Sequence, residues 1–231
     1  MNITFLQNSF WKKPVVSGGN EFPTDDLIWY INDDDLSDGL VSTWEDLIGS
    51  NDLIQDDDDM QPTKSSRGVV HDGNDWMQNV DHDLTITDSF SLVCVCNIVD
   101  EGSGLCLSIH DGSSNMTLGY RSKRVTAYYN GTSSDVSDEH AVGNTICIIV
   151  TRSDTNGLRI YFDGEQQAEA SSYLGIGTDQ AYIMLGAYDS GIEYIVPNNH
   201  ISRLAAFYNV ELDQNTIDAI MASDAVSSKI S

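Results

Sequence analysis

The stretch that most constrains the fold runs from Thr145 to Gly164, TICIIVTRSDTNGLRIYFDG. Ile146, Cys147, Ile148, Ile149 and Val150 form an unbroken apolar run, the pattern of a strand covered on both faces. Ser153-Asp154-Thr155-Asn156-Gly157 then makes a polar loop ending in Asn-Gly, where positive φ is tolerated and the chain can reverse. The return strand puts Leu158, Ile160 and Phe162 on one face and Arg159 and Tyr161 on the other, before a second turn at Asp163-Gly164. A hairpin with so apolar a first strand needs neighbours on both sides. It predicts a sheet or sandwich.

The same pattern recurs along the chain. Leu27 to Ile31 reads as a buried strand ended by Asn32-Asp33-Asp34-Asp35, and Val41 to Leu47 as a second short element. Leu53-Ile54-Gln55 runs into the aspartates Asp56 to Asp59. Gly68 to His71, a turn at Asp72-Gly73 and a strand at Trp76-Met77 follow. In Phe90 to Val99, the residues Phe90, Leu92, Cys94, Cys96 and Ile98 share one face, and Val93, Val95 and Val99 the other. Strands at 105–109, 116–120, 125–129, 181–186 and 200–208 complete a meander with turn signals about every ten residues, as in an antiparallel sandwich. One helix is expected, capped by Asp213 and carrying Ile217, Ile220 and Met221 on one side.

Residues 1–23 differ from the rest. Phe5, Leu6, Phe10 and Trp11 are large and apolar, Lys12 and Lys13 are the only basic residues before Lys64, and Ser17-Gly18-Gly19-Asn20 reads as a break. The segment is either an edge strand or an arm that docks on a partner through Phe5, Phe10, Trp11, Lys12 and Lys13. The division expected is thus 1–23 as the arm and 24–231 as one domain.

A formal net charge of −25 over 231 residues opposes binding to a nucleic-acid backbone and to anionic lipid. No segment reaches transmembrane length, and MNITFLQNSFWKKP lacks the basic-then-apolar order of a signal peptide. Cys94, Cys96, Cys106 and Cys147 all sit in apolar runs, so they read as buried reduced thiols. Cys-x-Cys in mid-strand is a poor zinc signature.

Taken in order, several blocks resemble laminin-G-like domains of the concanavalin A-like lectin/glucanase superfamily. They are Leu27-Ile28-Trp29-Tyr30 with its aspartate turn, Val41 to Gly49, Gln61-Pro62-Thr63 with Val70 to Gly73, Phe90 to Val93, Arg159 to Gly164 and Leu185-Gly186. The closing block Ile201-Ser202-Arg203-Leu204-Ala205-Ala206-Phe207-Tyr208-Asn209-Val210-Glu211-Leu212 is the most telling. The resemblance covers about residues 25–222 and implies an all-β, antiparallel two-sheet jelly roll with a short C-terminal helix.

The resemblance also frames the chemistry. Hydrolytic members need a strand of spaced acids, Glu-x-Asp-x-x-Glu, to place two carboxylates across a sugar bond. No such strand is present, so the chain is expected not to be an enzyme. Lectin-like members often hold calcium in loop aspartates, for which Asp33, Asp34, Asp35 and Asp38, with Asn32, are candidates, as are Asp56 to Asp59; a solvated turn is the alternative for each cluster. Tyr128, Tyr129 and Tyr188, with Tyr194, lie near turns and could stack on sugars, while Trp29, Trp44 and Trp76 belong to the core. The five histidines are scattered and carry no assigned role. The resemblance extends to bacteriophage virion proteins, capsid decorations or tail-fibre parts made in the host cytoplasm, which contact host-surface glycans. The arm would dock on other virion proteins, and a homo-oligomer stays open. The alternatives are a secreted or surface carbohydrate-binding module and a degenerate glycoside hydrolase.

Overall fold

The computed structural model of the chain describes residues 20–79, 84–99, 103–110, 115–121, 124–129, 132–135, 143–170, 178–186 and 200–230. Phe5, Phe10, Trp11, Lys12, Lys13 and Tyr188 lie outside them, as do the side chains of Tyr128 and Tyr129.

The first third of the chain forms mostly short strands: β1 (Leu27–Asn32), β2 (Gly39–Leu40), β3 (Thr43–Trp44), β4 (Leu53–Ile54), β5 (Thr63–Ser65), β6 (Gly68–His71), β7 (Met77–Asn79) and β8 (Leu84–Ile86). The middle is a meander of longer ones: β9 (Phe90–Ile98), β10 (Ser103–His110), β11 (Asn115–Arg121), β12 (Arg124–Tyr129) and β13 (Thr132–Asp135). Then come β14 (Thr145–Ser153), β15 (Gly157–Phe162), β16 (Glu165–Ala170), β17 (Thr178–Leu185) and β18 (His200–Tyr208), followed by helices α1 (Gln214–Ala222) and α2 (Asp224–Ile230).

They build two antiparallel sheets. One is ordered β16-β15-β14-β9-β18-β6-β5-β2, with β1 also on β18; the other is β13-β12-β11-β10-β17-β7-β4-β3, with β8 also on β17. β18 is long enough to serve two partners along one edge: His200–Ser202 pairs β6 and Leu204–Tyr208 pairs β1, while β9 takes the other edge. This is a jelly-roll-like sandwich.

Side-chain alternation explains two cores. Phe90, Leu92, Cys94, Cys96 and Ile98 of β9, with Ile146, Ile148 and Val150 of β14, face the opposite sheet. Val93, Val95, Cys147 and Ile149 face outward, where Ile217 and Ile220 of α1 and Val226 of α2 cover them. Burying an aliphatic side chain is worth roughly 1.5–3 kcal/mol, so those three hold the helices down by several kcal/mol. The outer cover explains why β14 is apolar on both faces. Phe22 joins this core, its ring stacked on Tyr30 at 4.8 Å, and the Tyr208 hydroxyl donates to the Pro23 carbonyl at 2.7 Å. The packed domain therefore includes Asn20–Pro23.

Some elements differ from expectation. Val41–Leu47 is not one strand. After β3 the chain folds into a loop ordered by the buried Asp46, which accepts from the backbone N–H groups of Tyr30, Ile48 and Asn51 at 3.0–3.2 Å. Three backbone donors satisfied by one carboxylate replace a sheet ladder. The second helix, α2, was also not expected. Among the described residues no helix is long and apolar enough to cross a membrane.

Candidate functional site

Three clusters of polar chemistry stand out, and the first is the aspartate turn after β1. Asn32 caps a short 3-10 turn, Asp33–Asp35, by accepting from Asp34 N–H at 3.2 Å. The turn swings Asp33 inward until it is fully buried. There its carboxylate meets Lys229 Nζ of α2 at 2.6 Å, Lys64 Nζ of β5 at 3.4 Å and Arg203 Nε of β18 at 3.4 Å. Lys229 also reaches the exposed Asp34 at 2.9 Å. Asp33 is therefore an ion-pair hub tying β1, β5, β18 and α2 together. Its oxygens are committed to protein cations, whereas calcium needs free carboxylates converging on one point. Asp35 and Asp38 are exposed. Among the described residues no three potential ligand side chains gather to hold a metal.

The second cluster is a histidine pair that the sequence left as two unrelated residues. The β6–β18 register places His71 opposite His200. Their rings stack 4.3 Å apart and 5° from parallel, with neither exposed. Only His71 Nδ1 has a contact, 3.3 Å from the Asp75 carbonyl; His71 Nε2 and both nitrogens of His200 have no hydrogen-bond partner. Gly186 makes this packing feasible: a Cβ there would lie 2.5 Å from the Asp75 carbonyl oxygen and 2.8 Å from His71 Nδ1. Burial lowers His71 to about 4 and drives His200 well down as well, helped by the neighbouring ring. Asp75, whose carboxylate accepts from Asp72 N–H at 3.1 Å, is pushed up to about 6, chiefly by burial.

The third cluster faces solvent. Asp56–Asp59 line a shallow, widely open depression in the surface. Two buried glutamines brace this turn from behind. Gln55 Oε1 accepts from Asp57 N–H at 3.1 Å and its Nε2 donates to the Trp76 carbonyl at 3.1 Å. Gln61 Nε2 donates to the Gln55 carbonyl at 2.9 Å and to Asp58 Oδ1 at 3.2 Å. Trp76 N–H donates to the Met60 carbonyl at 3.2 Å, and the indole Nε1 contacts Met60 Sδ at 3.4 Å. Trp76 is only partly buried, against Met184, unlike the fully enclosed Trp29 and Trp44. The aspartate turn is thus braced by Gln55 and Gln61, and Met60, next in the chain after Asp59, touches the partly buried Trp76 indole. Carboxylates accept from sugar hydroxyls and an aromatic face takes the apolar side of a sugar ring. Gln55 and Gln61 carried no signal in the sequence, because nothing local distinguishes a buried glutamine from an exposed one.

No protein-family model and no curated protein matches the chain. Solved structures do. A sialidase from Trypanosoma rangeli in complex with sialic acid matches 90% of this chain at TM-score 0.66 and 17% identity, over 35% of its own length. A mutant of that sialidase displaying trans-sialidase activity matches 89% at TM-score 0.65 and 16% identity, over 34% of its length. The ligand-binding domain of botulinum neurotoxin serotype D, in complex with N-acetylneuraminic acid, matches 86% at TM-score 0.62 and 14% identity, over 51% of its length. The chain therefore spans about a third of the sialidases and half of the toxin domain. At these identities the likeness shows a shared fold. It also corrects one expectation: the lack of an acid-bearing strand had excluded catalysis, but glycosidases are among the structures sharing this fold, so that exclusion does not stand.

Proposed function

We propose that this chain is a carbohydrate-recognising sandwich of the laminin-G-like, concanavalin A-like kind, with Asp56–Asp59 and Trp76 as a sugar-contacting surface. The observation that carries the reading is the fold shared over most of the chain with two proteins solved with sialic acid or N-acetylneuraminic acid. The surface is assigned on its chemistry, a braced row of acceptors beside an aromatic ring. The virion setting stays with the sequence resemblance alone.

Charge refines the ligand class. The turn presents four carboxylates in four consecutive residues, within the ~8 Å over which charges act at physiological salt. It opposes a sialic acid carboxylate and favours neutral or amino sugars. The test is an array of neutral, amino and sialylated glycans probed with the full chain, in calcium and in chelator. The same preparation is assayed for turnover of fluorogenic sialosides and neutral glycosides. Binding of neutral or amino glycans, weakened in Trp76→Ala, is the expected result. Replacing Asp56–Asp59 by asparagine should shift the preference toward sialylated glycans. Silence across the array in both conditions would overturn the proposal, and turnover would extend it to hydrolysis.

A further inference from the structure

Two β-bulges face each other across the sandwich. In the β10–β11 ladder Leu105 pairs with Gly119 and Leu107 with Leu118, leaving Cys106 as the extra residue. Cys106 and Leu107 are then both buried in the core between the sheets, which strict alternation along a strand does not allow. In the opposite sheet β18 slips against β9 between Ser202 and Leu204, and Cys96 is the residue paired with Ser202 at that slip. Bulges re-aim side chains at the cost of ladder hydrogen bonds. Here the bulge at Cys106 turns that thiol into the core, where it meets Cys96, already inward by plain alternation, with the two sulfurs 3.9 Å apart and fully buried. With the sulfurs 3.9 Å apart and a disulfide bond about 2.05 Å long, closing the pair requires the two thiols to approach by about 2 Å.

The geometry points to Cys96 and Cys106 as a latent cross-sheet disulfide, closed by exchange with a low-molecular-weight disulfide such as oxidised glutathione. One cysteine loses its proton and attacks a sulfur of the small disulfide, releasing one small thiolate and forming a mixed disulfide. The second cysteine, deprotonated in turn, attacks the protein sulfur of that mixed disulfide and releases the other small thiolate. Two protein thiols become one disulfide, two electrons pass to the small disulfide, and the two protons end on the released thiols. Burial shields both sulfurs in the folded state, and the contact with Cys106 holds the Cys96 thiol well above its ordinary range. Closure therefore belongs to folding or to transient opening of the sandwich, and once made it staples the sheets through their centres. Cys94 shares a strand and a face with Cys96 and also touches its thiol, so it is the competing partner, whereas Cys147 faces the helix-covered side of β14.

The test refolds the full chain in a glutathione redox buffer, denatures it, alkylates free thiols and maps the peptides by mass. The expected product is one linked pair of peptides carrying Cys96 and Cys106, with Cys94 and Cys147 alkylated. Its Tm should lie about 5–10 °C above that of the reduced chain. Cys94→Ala should keep the link, while Cys96→Ala and Cys106→Ala should each lose it. Should the alanine variants at 96 or 106 fail to fold, Cys94→Ala still decides, since it leaves the pair intact. Alkylation of all four cysteines after oxidative refolding, or a link that includes Cys94 or Cys147, would overturn the assignment.

Discussion

At the scale of single residues, the Asp33 hub is costly to disturb. A fully buried carboxylate is tolerable only because Lys229, Lys64 and Arg203 surround it. Lys229→Met should lower the unfolding free energy by about 3 kcal/mol in urea titrations, and Asp33→Asn by a similar amount. The double variant should lose less than the two singles combined. Additive losses would mean the pair is not coupled. The histidine pair gives a second prediction, on pH. His71 titrates near 4 in the fold, against about 6.5 in an unfolded chain. Below 6.5 the unfolded chain takes up a proton that the folded one refuses. Stability is thus full above about 6.5 and falls as the pH drops toward 4, by up to about 3 kcal/mol from His71 alone. His200, also lowered, adds to the slope. Asp75, raised to about 6, favours the folded state on acidification and opposes it. Replacing both histidines by glutamine should flatten the loss between pH 7 and 5; an unchanged slope would assign it to other groups. Neither cluster was legible in the sequence. Asp33 looks like one of several turn aspartates, and His71 and His200 lie far apart in the chain. Strand register brings His71 to His200, and only the packing of β5, β18 and α2 around the turn brings Asp33 to its cations.

At the scale of elements, local chemistry is a good guide. Asp213 caps α1 as expected, its carboxylate accepting from Thr216 N–H at 2.8 Å. Asp213→Ala should cost about 1 kcal/mol, read as a shift in the denaturation midpoint with little change in slope. A null effect would mean that burial of Ile217 and Ile220 sets the helix start. The Asp163-Gly164 turn is similarly direct: both residues have positive φ, 45° and 87°, as a two-residue hairpin turn requires. The hairpin and β18 follow their apolar patterns because side-chain period and turn residues are written locally. β2, β5, β8, β13, β16 and α2 were missed: two- to four-residue strands and a seven-residue helix carry too little pattern to detect, and the polar run Glu165–Ala170 of β16 does not read as a strand. The bulges at Cys106 and Arg203 were hidden for a different reason. A bulge is a mismatch between two strands, and a single strand cannot show it.

At the scale of the whole molecule, the sandwich was readable because alternating strands and a doubly apolar β14 leave few other architectures. The proposed sugar-contacting surface was readable only in outline. Its aspartates are conspicuous, but the glutamine braces and the half-exposed indole emerge only when β4, β7 and the turn are packed together. The central claim is that this sandwich recognises carbohydrate through Asp56–Asp59 and Trp76. The most direct measurement is a calorimetric titration of the full chain with the strongest array ligand, repeated on Trp76→Ala. The account predicts saturable binding that weakens at least tenfold in the variant, a loss of about 1.4 kcal/mol, measured below the temperature at which the variant begins to unfold. Equal affinity in both proteins would contradict it, as would heats that never saturate.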